Sequence, residues 1–135
     1  MKHLLTLAFI MGMVLPAQGA AAQSLRDDPH ITGQLVAAQV GDILRNTCPQ
    51  VSARMFVVFG ELVALENYVR GKGHDEATVR AFLDSAEEKA RIRALADTYL
   101  ASAGAKAGDV ASFCAVARAE VAAGTVAGRL IRVRN

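Results

Sequence analysis

Residues 50–70 read QVSARMFVVFGELVALENYVR, and the choice between helix and strand here sets the architecture of the chain. Taken alone, Met55-Phe56-Val57-Val58-Phe59 is β-favouring and is the one place where a strand could hide. Taken over the whole stretch, Val51, Met55, Val58, Phe59, Leu62, Leu65, Tyr68 and Val69 recur at steps of three and four, which is helical spacing. The longer period predicts one helix from Gln50 to Arg70. Pro49 either stops the helix before it or, as the preferred reading, opens this one, where a missing N–H costs nothing, and Gly71 and Gly73 close it.

The same period extends outward in both directions. Upstream, Ile31, Leu35, Val36, Val40, Ile43 and Leu44 share one face of a helix spanning Ile31 to Thr47. Downstream, a short helix is expected over Asp75 to Leu83. Ser85-Ala86-Glu87-Glu88 has the form of a capping box that starts a helix over Ala86 to Ser102. That helix is expected to turn Ala90, Ile92, Leu95, Ala96 and Tyr99 inward and to pair Glu87 with Arg91 on its surface. Asp109 caps a helix over Val110 to Ala123, and Thr125 caps a last segment over Val126 to Val133. The fold class that follows is all-α: a small bundle of five or six short helices in one domain, residues 31–135.

The front of the chain reads as an export leader. Lys2 and His3 form a positive start, Leu4 to Leu15 is an apolar run too short to span a bilayer, and Pro16 breaks it. Small residues follow, with cleavage expected between Gly19 and Gln23 and best placed after Ala22. Gln23 to His30 is polar, contains Pro29, and reads as a loose arm. Export brings the protein to the periplasm, where thiols oxidise, and Cys48 and Cys114 are the only cysteines. A structural bridge between them is the expectation. Neither C-x-x-C nor C-x-x-C-H occurs, and two scattered histidines in the mature chain do not complete a zinc site.

Charge is nearly balanced, with 15 basic and 13 acidic residues, and loss of the leader removes Lys2. Nothing in that balance suggests nucleic acid as a partner. No phosphate-binding glycine loop is present, no cofactor is implied, and no residues stand out as catalytic or metal-ligating. Asp27 and Asp28 are adjacent carboxylates in the expected arm, where nothing would hold the geometry of acid–base catalysis. Arg118, Arg129, Arg132 and Arg134 crowd the C-terminal segment. On an unbroken helix the first three would lie within about 60° of one another, forming a candidate interaction surface for an acidic partner or for peripheral contact with an anionic membrane. Arg54 is expected to be a partly buried arginine, paired across the bundle with Glu120.

Cys48, Ser52-Ala53-Arg54, Glu88-Lys89-Ala90-Arg91, Tyr99-Leu100, Phe113-Cys114 and Arg118-Ala119-Glu120 occur in that order. The arrangement, from about Leu35 to Arg132, resembles a family of short exported alphaproteobacterial proteins catalogued as a domain of unknown function. The resemblance implies a helical exported domain with paired cysteines and supplies no activity. The resulting expectation is a non-enzymatic binding or accessory subunit for another envelope protein. The alternatives are a periplasmic chaperone or stress protein and, third, a small enzyme.

Overall fold

The computed structural model describes residues 17–134, so the apolar run of the leader lies outside the described residues. Helix α1 (Ala17–Asp27) leads into α2 (Pro29–Thr47), a short strand β1 (Val51–Ala53) and α3 (Met55–Gly71). Then come α4 (Glu76–Asp84), α5 (Ala86–Ser102), α6 (Val110–Ala123), α7 (Val126–Leu130) and a final strand β2 (Ile131–Val133). The all-α class holds, with a two-stranded antiparallel ribbon added: Val51 pairs with Val133, Ser52 with Arg132 and Ala53 with Ile131.

Helix α2 is the axis of the molecule, touching α1, β1, α3, α5, α6 and α7. It starts sharply because the Asp28 carboxylate accepts hydrogen bonds from the His30 and Ile31 N–H groups, with Pro29 at the first helical position. Val40, Ile43 and Leu44 bury one stripe against Ala96 and Leu100 of α5 and Val116 and Ala117 of α6. The ribbon and α7 close this core with Val51, Ala127 and Ile131. A second, smaller cluster joins Leu25, Ile31, Val69 and Phe82 from α1, α2, α3 and α4.

The Cys48–Cys114 disulfide is present, with Cα atoms 5.2 Å apart and a sequence separation of 66. Cys48 ends α2 and Cys114 lies in the second turn of α6, so the bridge ties the front of the domain to its back through the main core. The expected caps also form. Ser85 accepts from the Glu88 N–H, Asp109 from Ser112, and Thr125 from Gly128, while Gly124 adopts the left-handed conformation after α6.

Three local expectations are corrected. Residues 23–30 are not a loose arm: Gln23–Asp27 is helical, and Leu25 is only 1% exposed in the smaller cluster. One well-placed leucine outweighs the polar composition around it. Helix α3 begins at Met55 rather than Gln50, because Val51-Ser52-Ala53 finds a strand partner in Ile131-Arg132-Val133, which for the same reason leaves the last helical segment at Leu130. Helix α5 turns Glu88, Ile92, Ala96 and Leu100 inward, leaving Ala90, Leu95 and Tyr99 exposed. The Glu88 side chain therefore does not complete the capping box. It binds Arg26 and Arg91, and Glu87 binds Arg26 instead of Arg91.

Candidate interaction surface

Six arginines have a carboxylate within salt-bridge range: Arg26, Arg45, Arg80, Arg91, Arg93 and Arg129. Arg54, Arg70, Arg118, Arg132 and Arg134 have none among the described residues. All but Arg70 converge on the ribbon. Arg118 donates to the Gln50 side-chain oxygen at 3.3 Å and Arg132 to Ser52 Oγ at 3.0 Å. Arg134 donates to the Pro49 carbonyl at 3.0 Å. Each donates to a neutral acceptor and meets no carboxylate among the described residues.

The route to this grouping differs from the helical wheel. Gly124 breaks the helix and β2 replaces its end, so Arg118, Arg129 and Arg132 share no helix face. Pairing of β2 with β1 brings Arg132 beside Ser52 and Arg134 beside Gln50, and the packing of α6 on β2 adds Arg118. Arg129 is drawn aside, contacting Glu61 at 3.6 Å and the Gly124 carbonyl at 3.3 Å.

Arg54 and Glu120 are not paired. Arg54 precedes α3 and is exposed, donating to the Arg129 carbonyl at 3.3 Å. Glu120 is buried on α6, accepting from Tyr99 Oη at 2.8 Å and from Thr125 Oγ1. Two hydroxyl donors satisfy that carboxylate where a guanidinium was expected. The Tyr99 ring is partly exposed, but desolvation where its hydroxyl meets the buried Glu120, together with that hydrogen bond, pushes the phenol up to about 12.

A second surface was missed in the sequence. The apolar stripe predicted for this helix includes Met55, Phe59 and Leu62, yet these three are exposed, together with Phe56 and Val63. Only Val69 of the whole helix is fully buried, and Phe56 is 95% exposed. The signal was available: apart from Glu61 the first eleven residues of α3 carry no charge, so the helix is apolar all round rather than striped.

Among the described residues no group of three or more His, Cys, Asp or Glu side chains could hold a metal ion. A cleft of about 560 Å³ lies between α1, α4 and the start of α5, lined by Arg26, Asp75, Thr78, Glu87 and Glu88. Gly19 and Ala22, upstream of the expected cut, form part of its wall. Its charged groups are committed to α1–α5 ion pairs and to the cap of α4. No described helix is long and apolar enough to cross a membrane.

No curated protein and no solved structure matches the chain. A family model does match, over residues 23–132, and the chain belongs to that family, described as the Family of unknown function (DUF5333).

Proposed function

We propose that this is a non-enzymatic exported protein, a binding or accessory subunit for another envelope protein, engaged through Arg118, Arg132 and Arg134. The observation that carries this reading is the concentration along the β1–β2 ribbon of positive charge that meets no carboxylate among the described residues and donates to neutral acceptors. Guanidinium groups gathered without a carboxylate among the described residues suit bidentate recognition of carboxylates on a partner. The leader pattern in residues 1–22 and an oxidised cysteine pair both support export.

The test is an affinity capture of the mature, disulfide-bonded protein from its native envelope, read by mass spectrometry beside the triple variant Arg118→Ala/Arg132→Ala/Arg134→Ala. One stoichiometric partner, lost with the triple variant, supports the accessory subunit. Capture of the same partner by both proteins removes the arginines from the reading. A chaperone is the second reading, favoured by the exposed apolar side of α3. It predicts a broad set of unfolded clients whose capture is indifferent to the three arginines.

A further inference from the structure

Met55, Phe56, Phe59, Leu62 and Val63 make one continuous exposed face on the first half of α3. A phenylalanine alone carries roughly 150–250 Å², so the five side chains open an apolar area on the order of 500 Å², at the upper end of what a soluble monomer leaves uncovered. The positions have an internal symmetry. Met55 and Val63 lie four residues either side of Phe59, and Phe56 and Leu62 lie three either side. A two-fold axis through Phe59, perpendicular to the helix, maps the apolar set onto itself.

We propose that a second copy of this chain covers this face, with the two α3 helices antiparallel and crossing at Phe59. An isologous contact requires a self-complementary patch, and this patch is one. Phe59 meets its counterpart, Met55 meets Val63, and Phe56 meets Leu62. Charge supports the same register. Glu66 shares the face seven residues beyond Phe59, about 10 Å along the axis, and has no cationic partner among the described residues. Arg54 lies five residues before Phe59, about 8 Å the other way, and also lacks a carboxylate. Antiparallel pairing brings each Glu66 to the N-terminal end of the other copy's α3, at the height of Arg54, whose side chain exchanges the Arg129 carbonyl for the carboxylate, twice per dimer.

The same pairing meets a need of the helix start. Asp28, Asp75, Ser85, Asp109 and Thr125 cap their helices, but α3 follows Arg54, which supplies no side-chain cap. A carboxylate from the second copy near that end is favourable with the helix dipole. With flanking residues the contact approaches the roughly 800 Å² per partner of a standard interface. An anionic bilayer fits less well. Membrane-surface helices set their apolar side against a Lys- and Arg-rich side, whereas α3 carries Glu61 and Glu66 against a single arginine, Arg70. The dimer surface is separate from the Arg118–Arg132–Arg134 ridge, so it stands or falls independently of the accessory-subunit reading.

The test is sedimentation equilibrium of the mature disulfide-bonded protein. Twice the chain mass is expected, with Phe59→Asp weakening association by at least about thirtyfold at unchanged far-ultraviolet circular dichroism. Phe59 is exposed in the monomer, and should the variant nonetheless misfold, the surface charge variants carry the test. Glu66→Arg and Arg54→Glu should each weaken association by about tenfold, and their combination should restore it. A monomer at every concentration overturns the proposal, as does a dimer insensitive to Phe59→Asp. Charge reversals that fail to rescue each other overturn the register. A monomer that sediments with phosphatidylglycerol vesicles assigns the face to the membrane instead.

Discussion

Gly128 lies directly against the backbone of Glu120. A Cβ built on it would stand 2.8 Å from the Val121 nitrogen and closer still to the Glu120 carbonyl. This approach lets α7 fold back on α6 and aims Thr125 at the Glu120 carboxylate. The obstacle is backbone, which cannot step aside as a flexible side chain would. Gly128→Ala should therefore cost about 1–3 kcal/mol or more, read as a lower midpoint in chemical denaturation. Gly33→Ala is the internal comparison: it sits in α2 with open space around it and should gain up to about 1 kcal/mol.

The disulfide should carry a large share of the stability. Closing a loop of 66 residues corresponds to about 4 kcal/mol in the chain-entropy account, against about 5–15 kcal/mol for a whole domain. Cys48→Ala/Cys114→Ala should lower the unfolding free energy by that order. Reductant should destabilise the wild type and leave the double variant unchanged. Equal midpoints for the wild type with and without reductant would remove the bridge from the stability argument.

The segment after the expected cut should be part of the folded domain. Leu25 fills the smaller cluster, and Arg26 meets Glu87 and the buried Glu88. Leu25→Ala in the mature protein should cost about 2–5 kcal/mol, and a chain starting at Pro29 should melt at a visibly lower temperature than one starting at Gln23. Coincident melting curves would contradict the docking of α1.

Alkaline pH should loosen the protein through Tyr99. Its folded pKa is raised to about 12, above the ordinary value near 10, so the folded state holds the phenolic proton more tightly than the unfolded state. The contribution is complete below about pH 10 and is lost as pH rises through the window up to about 12. Tyr99→Phe should flatten the stability profile across that window, followed by denaturation at stepped pH. The ultraviolet phenolate titration should lose its later step in the same variant. A phenol that titrates at its ordinary pH in the folded wild type would refute the contact with Glu120.

Helices α5 and α6 run over the residues expected from the sequence because their signals are local: Ser85, Asp109 and Gly124 act on backbone groups within one turn. The helical outcome for Met55–Phe59 was legible too, since a period sustained as far as Val69 outweighs five β-favouring residues. The ribbon was not legible. Each strand is three residues long, and its partner is eighty residues away along the chain.

The candidate surfaces divide the same way. The sequence by itself determined that the C-terminal segment is rich in arginine, that the two cysteines can form one bridge, and that the first half of α3 is apolar on every side. Only the tertiary structure decided which arginines lose their carboxylates, that Glu120 answers to Tyr99 rather than Arg54, and which side of α3 is left uncovered. Composition and period are properties of neighbouring residues and act over one helical turn. Whether a charge is paired or an apolar face is filled depends on what the fold carries to it from distant parts of the chain.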